Sequence, residues 1–278
     1  MSKTLVSPTS PRSAVVTGSA RGIGRAIAVE LVARGYDVLV TDVDGAAAQA
    51  TAREIGARLG LALDVRDPSA NREIAERARE IAPVGAWVCN AGVGIDGDLT
   101  ALSVEQVRLM VEVNLLGVMW GVRAAADVFR NQASDGIRGG EIGILASLSA
   151  HAPVPGLSVY AATKAGVLSL VTSIAPELRP DKVRIHAICP DGVATAMVDG
   201  FDPRGGVRAA LAAGVMLTPE KVAGELVGMF GTRRVYKTLP AWRGVLARAS
   251  SFSPTLTQIA DPPMRRLGAR RLKKAGLR

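Results

Sequence analysis

Residues Ala14–Gly24 read AVVTGSARGIG, and this stretch decides the fold. A short apolar run, AVVT, passes directly into a glycine-rich turn, and a helical pattern resumes from Ile23. Gly18 permits a tight turn, while Gly22 and Gly24 let the backbone approach a pyrophosphate at a helix N-terminus. The spacing is G-x-x-x-G-x-G rather than the general G-x-G-x-x-G fingerprint. An ordinary βα turn also uses glycine. The weight of this cluster comes from its place between a strand and a helix, where phosphate binding needs it.

Working outward, the first 190 residues alternate short apolar runs with longer amphipathic segments. Strands are expected from Ala14 (AVVT), Asp37 (DVLVT), Gly60 (GLALDV), Gly85 (GAWVCN), Glu141 (EIGILAS) and Val183 (VRIHAIC), with helices over 23–34, 44–58, 68–82, 103–130 and 158–178. Strands alternating with helices of this length give βαβ units, a parallel sheet and helices on both faces. Such an α/β sheet binds ligands at the carboxyl ends of its strands. Residues 131–140 read as a surface loop.

The 278 residues suffice for one large α/β domain. No run of about 18 apolar residues occurs, so no membrane-spanning helix is expected. The stretch MSKTLVSPTSPRS lacks the apolar core of a signal peptide. Cys89 and Cys189 are too few for a disulfide framework and fit a reducing cytoplasm. Two His and two Cys, far apart, suggest no metal site. The net charge of +9 is uneven: Arg233–Arg278 holds twelve Lys/Arg and one Asp, and the rest holds 22 basic and 24 acidic residues. A nearly neutral body with a basic tail argues against a nucleic-acid partner for the chain as a whole.

At the end of the second strand Asp42 lies 18 residues beyond Gly24, where a carboxylate accepts hydrogen bonds from adenosine ribose hydroxyls and repels a 2′-phosphate. Val43 follows, so no cation offsets that repulsion. Arg21 in the glycine loop is placed to reach a 2′-phosphate. Asp42 outweighs it: NAD(H) is the expected cofactor and NADP(H) the second choice. Asp44 is better placed than Asp42 to cap the next helix. Tyr160 and Lys164, four apart in SVYAATKAG, share one helix face. A phenol of pKa about 10 is a poor acid-base group at neutral pH, and a nearby ammonium favours the phenolate. The expectation is therefore a lowered Tyr160 pKa and proton exchange with a carbonyl or alcohol. Ser147, thirteen residues earlier at a strand end, can hydrogen-bond the same substrate oxygen.

TGSARGIG, CNAG (Cys89–Gly92), Asn114 in VNLLG, Ser147, YAATK and CPDGVAT together resemble, in order and spacing, the classical short-chain dehydrogenase/reductase family over about residues 12–231. The resemblance implies one doubly wound Rossmann domain, with a parallel sheet of about seven strands, that binds NAD(H) or NADP(H). It implies that Tyr160 is the acid-base residue, that Lys164 binds nicotinamide ribose and tunes the Tyr, and that Ser147 orients substrate. Asn114 would kink its helix and hold a water that relays protons from Lys164. Gly18, Arg21, Gly22, Ile23, Gly24 and Asp42 would bind cofactor, together with Asp64 and Val65 at adenine, and Asn90, Ala91 and Gly92. Val193 and Thr195 would lie near the carboxamide, and Pro190, Tyr160 and Lys164 would also bind the cofactor. Two positions depart from the pattern: Cys89 replaces an Asn, and Asp191 stands where a Gly commonly follows the Pro. Asp191 either leaves the chemistry unchanged or faces the nicotinamide region and influences substrate charge.

His151 is expected to line the pocket or meet solvent, and His186 to be a packed core residue. The expected divisions are a flexible 1–11, a Rossmann and catalytic domain 12–232 and a basic extension 233–278. Within the domain, 196–217 is a mobile lid whose Met197, Val198, Phe201, Leu211, Val215, Met216 and Leu217 roof an apolar pocket, with Gly200, Gly205 and Gly206 giving mobility. The substrate expected is an apolar ketone or alcohol, steroid-like, terpenoid or fatty-acyl. A catalytically silent dinucleotide-binding sensor or scaffold is the alternative. In the extension, Trp242, Val245, Leu246 and Ala249 form an apolar stripe beside Arg243 and Arg248. It packs on the protein or on a partner subunit, or attaches peripherally to anionic lipid. A homodimer or homotetramer is implied through the helices at 103–130 and 158–178.

Overall fold

The structure, a computed structural model, describes residues 11–202 and 216–252, with further helical positions at 255, 259, 263, 266 and 270. Seven parallel strands form one sheet in the order β3-β2-β1-β4-β5-β6-β7. They are β1 (Arg12–Thr17), β2 (Tyr36–Asp42), β3 (Leu59–Ala62), β4 (Val84–Cys89), β5 (Gly140–Leu145), β6 (Val183–Pro190) and β7 (Tyr236–Leu239). The order reverses between β1 and β4, and the crevice at that switch point is where such sheets bind ligands. β7 pairs with β6 from Ala187↔Tyr236 to Pro190↔Leu239, so the sheet takes its last strand from within 233–278. The boundary expected at 232 therefore falls inside the sheet domain.

The strands are apolar on both faces because both are covered. On one face α3 (Pro68–Ile81), α5 (Gly117–Asn131) and α6 (Ser158–Leu178) pack Ile74, Val122, Phe129 and Val171 against Val15, Trp87, Ile142 and Ile185. On the other, α1 (Gly22–Ala33), α2 (Gly45–Ile55) and α8 (Pro219–Val227) pack Ile27, Leu31, Ala48 and Leu226 against Ala14, Val16, Val40 and Val88. Helix starts follow their capping residues. Asp44 accepts from Ala47 N at 3.0 Å, Asp67 from Ser69 N at 2.7 Å, and Ser103 and Gln106 form a capping box at α4 (Val104–Val111). Asp44 thus takes the cap and leaves Asp42 free of it.

The expected helix 103–130 is interrupted. Between α4 and α5, Glu112–Leu116 widens into a π-helical turn that contains Asn114. Part of the expected loop at 131–140 is a 3₁₀ turn, Gln132–Asp135. Val104–Asp135 and Ser158–Asp181 are long and apolar enough to cross a membrane by length and composition alone. Both lie against the sheet and bury core residues. Two further helices are α7 (Ala196–Asp199) and α9 (Ala241–Ser251). His186 is a core residue, with Nδ1 2.6 Å from Arg234 O and Nε2 2.9 Å from Glu141 Oε2.

Candidate active site

The carboxyl ends of the strands open into one cavity of about 1370 Å³. That exceeds the roughly 300–1,000 Å³ of a single small-molecule pocket and suits a dinucleotide plus a second molecule. Gly18, Arg21, Gly22, Ile23, Gly24, Asp42, Asp64 and Val65 line one part of it. Asn90–Gly92, Ser147, Tyr160, Lys164, Pro190, Val193 and Thr195 line the remainder. Asn114 is fully buried just behind this wall.

The glycine loop is shaped by close approach. Gly18 has φ 60°, and a Cβ on Gly24 would sit 2.3 Å from Gly18 O and 2.4 Å from Asn90 Nδ2. Asn90 holds the loop by donating from Nδ2 to Thr17 O at 2.9 Å and to Gly18 O at 2.8 Å. Thr17 Oγ1 in turn accepts from the backbone of Asn90 and Ala91. Helix α1 begins after Arg21 with no side-chain cap and no acidic residue in its first turn. Its first N–H groups and positive dipole end are open to an anion. Asp42 accepts from Ala20 N at 3.2 Å and so lies beside the same loop. Asp64 is gripped by Arg66, whose side-chain hydrogen bonds hold the carboxylate below its ordinary range. These residues fit a dinucleotide: an uncapped helix end for pyrophosphate, a carboxylate beside it, and no space that a side chain would fill.

Across the cavity, Lys164 Nζ donates to Leu145 O at 2.8 Å, and burial pushes its pKa down to about 8. The Tyr160 ring centroid lies 5.6 Å from Nζ. Burial pushes the Tyr160 phenol up, and the Ser147 hydroxyl facing it lowers it in part. The direction is opposite to the lowered phenol expected from the sequence: burial is the larger influence on Tyr160, and it disfavours the phenolate. Ser147 Oγ accepts from Ser149 N at 3.2 Å and from Ser149 Oγ at 2.9 Å. Asn114 Oδ1 accepts from Val93 N at 2.8 Å, and its Nδ2 donates to Val93 O at 2.8 Å. A Cβ on Gly92 would lie 3.3 Å from Asn114 Oδ1 and 3.7 Å from Lys164 Nζ, so these two polar groups flank one glycine. Cys89 and Cys189 are buried free thiols pushed up to about 12 by desolvation.

The beginning of the expected lid closes one side. Phe201, 5% exposed, packs with Leu157, Val154 and Tyr160, and Asp202 N donates to Asp96 Oδ2 at 3.1 Å. Gly205, Gly206, Leu211 and Val215 lie outside the described residues. Met216 is exposed, and Leu217 joins Val193 through a parallel bridge. His151 sits beside the cavity with Nε2 3.0 Å from Thr238 Oγ1, its pKa lowered by burial and then by Arg248. The sequence did not point to Ser149, to the Val93 clasp on Asn114, or to the place of α9 on the cavity, which its Trp242, Arg243 and Leu246 line. The apolar stripe on α9 was visible, but not the surface it faces.

The family model described as short chain dehydrogenase matches residues 12–204. The chain is 35% identical over 188 residues to "Probable oxidoreductase EphD" of Mycobacterium tuberculosis, covering 66% of this chain and 31% of that protein's length. It is 32% identical over 229 residues to the 3-oxoacyl-[acyl-carrier-protein] reductase FabG of Escherichia coli, covering 81% of this chain and 92% of the relative. A short-chain dehydrogenase/reductase from Burkholderia phymatum, solved in complex with NAD, superposes with a TM-score of 0.78 at 26% identity, over 89% of this chain and 95% of the other. With a family model over more than half of its length and a relative 32% identical over most of both chains, the chain belongs to the classical short-chain dehydrogenase/reductase family.

Proposed function

We propose that the protein interconverts a secondary alcohol and a ketone with NAD(H), and that the substrate is largely apolar. The observation carrying this reading is the convergence of Tyr160, Ser147 and Lys164 on the cavity that also holds the glycine loop. The pyrophosphate would rest on Gly18–Gly24 and the start of α1, the adenosine ribose on Asp42, and adenine on Asp64 and Val65. Asn90–Gly92, Lys164, Pro190, Val193 and Thr195 would hold the nicotinamide half. Bound there, the nicotinamide supplies hydride donor or acceptor chemistry. Asp42 beside the loop, with exposed Val43 next to it, supports NAD(H) over NADP(H).

In the reducing direction Tyr160 donates its phenolic proton to the carbonyl oxygen; in the oxidising direction it takes the proton of the alcohol. Burial keeps the phenol protonated at neutral pH, which suits it to the donating role. Ser147 Oγ already accepts two hydrogen bonds from Ser149, so its own proton is the part left to donate to the substrate oxygen. Lys164, with a pKa of about 8, is the group poised to exchange protons near neutrality, through a water at Asn114. Leu157, Phe201 and Leu246 in the cavity support an apolar substrate. Absorbance of NADH and NADPH over a panel of ketones and alcohols tests this. Wild type should turn over with NADH preferred, and Tyr160→Phe should bind NADH yet fall by at least about 10²-fold in kcat. Unchanged turnover in Tyr160→Phe removes the role given to Tyr160. No turnover by wild type favours a silent dinucleotide-binding protein.

The proposal extends to assembly as a homodimer or homotetramer through α5 and α6. Helix α6 supports it, since its Leu168, Leu170 and Ile174 are only partly buried within its own chain. Cytoplasmic placement, with anionic lipid met by the basic tail, completes it. Exposed Val245 and Phe252 ahead of the last basic residues support the lipid contact.

A further inference from the structure

The position where the family pattern has glycine, Asp191, and the C-terminal helix α9 meet in the structure. Arg243 Nε of α9 lies 2.8 Å from Asp191 Oδ2, with side chains 17% and 4% exposed. Asp191 follows the end of β6, its N–H donating to Leu239 O at 2.8 Å, and it lines the cavity beside Gly192 and Val193. Two other contacts seat the helix. A Cβ on Gly244 would stand 2.8 Å from Thr238 Cβ, so α9 rests directly on β7. The Arg248 guanidinium lies 4.8 Å from the Tyr236 ring centroid.

Seated in this way, α9 turns Trp242, Leu246 and Ala249, four and three apart, into the cavity. Trp242 and Leu246 are more than half exposed, so they present apolar surface that an apolar chain would cover. The Asp191 carboxylate is turned to the helix. This pairing in a nearly dry position ties the helix to the loop after β6, since drawing apart two buried charges is strongly disfavoured.

We propose that Asp191 is a positioning residue that holds α9, through Arg243, as the outer wall of the substrate pocket, and that Trp242 and Leu246 on that wall select the length of the substrate's apolar chain. This rests on the reading of the site as a ketone–alcohol oxidoreductase.

The test uses the full chain. Hydrogen exchange is measured for wild type, Asp191→Asn, Arg243→Leu, Arg243→Lys and the pair Asp191→Asn/Arg243→Leu, which removes both charges and serves as a folded control. Either single loss should speed exchange across 241–251 by at least about tenfold, leaving the amides of β1 and β4–β6 unchanged; Arg243→Lys should recover most of the protection. In wild type with NADH, added 2-decanone should slow exchange in the same segment. Steady-state kinetics then compare 2-butanone with 2-decanone. The ratio of kcat/KM, long over short, should fall about tenfold in Asp191→Asn and in Trp242→Ala, chiefly through KM. Unchanged exchange in 241–251 overturns the anchoring role. A length ratio that Trp242→Ala does not move, or wild-type exchange that 2-decanone does not slow, overturns the wall. Absence of ketone turnover in wild type refutes the reaction reading alone, and the exchange data still decide the anchor and the wall.

Discussion

Replacing Lys164 with Met separates what the buried ammonium costs the fold from what it does for the reaction. Lys164 is 3% exposed, and burial lowers its pKa from 10.5 to about 8. Each unit corresponds to about 1.4 kcal/mol, so keeping the charge in this site costs on the order of 3 kcal/mol. The folded pKa lies below the unfolded one, so the unfolded chain binds more protons between about pH 8 and 10.5. The penalty is therefore full below pH 8 and fades as pH rises through that window. Met has a comparable volume and no charge, but it leaves the Leu145 carbonyl without the bond it now accepts at 2.8 Å. That returns about 1 kcal/mol. The variant should be more stable than wild type by about 2 kcal/mol at pH 7, or roughly 4–8 °C in midpoint for a domain of this size. Cys89 and Cys189, pushed up to about 12, weaken both proteins above their ordinary thiol range, so the informative quantity is the gap between the two curves. Thermal unfolding followed from about pH 6 to 10.5 should show that gap closing and then reversing, while the variant loses turnover. A gap constant with pH, or a variant less stable at pH 7, would refute the account of the site as a desolvated ammonium held at a cost in stability.

Three further outcomes are expected. Gly24→Ala places a methyl group 2.3 Å from Gly18 O, and should abolish NADH binding in a fluorescence titration and cost about 1–3 kcal/mol in denaturant unfolding; native affinity for NADH would contradict the loop assignment. Asp42→Asn keeps the acceptor for Ala20 N but removes the charge, and should shift the NADP-to-NAD ratio of kcat/KM upward by at least about tenfold; an unmoved ratio would clear Asp42 of cofactor choice. Truncation after Phe252, which spares β7 and α9, should release the protein from anionic liposomes in sedimentation while leaving its melting point within about 2 °C; equal binding by both lengths would remove the tail from membrane contact.

Six strands were readable because a parallel strand covered on both faces is a plain apolar run, as in Ala14–Val16 and Val38–Val40. The cofactor half of the cavity was readable for a related reason: glycines and a strand-end carboxylate act through backbone shape and charge, which sequence position largely sets. Other features depend on contacts that no local pattern carries. The widened turn at Glu112–Leu116 has the composition of ordinary helix, and its asparagine is held by both backbone groups of Val93. Tyr160's pKa could not be judged from the spacing to Lys164, because the direction is set by burial, which the packing of Phe201 and Leu157 around the ring makes visible only in three dimensions. The stripe on α9 was plain as periodicity, but what it covers is set by Asp191 and Thr238, which lie on other elements.

The widened turn also sets the register of the helix that follows it. Along a regular α-helix each residue advances about 100°, and two turns take close to seven residues. Met110 and Val118 are eight residues apart, and both are buried. One residue is absorbed where the helix widens, so α5 continues on the inward face of α4. Removing one residue from Glu112–Leu116 and closing the turn to α pitch would leave Met110 and Val118 seven apart, still on one face. The core on either side would keep its phase, and the loss would fall on the clasp between Asn114 and Val93. A one-residue change in helix length is therefore taken up here by the cavity wall and not by the packing of the sheet.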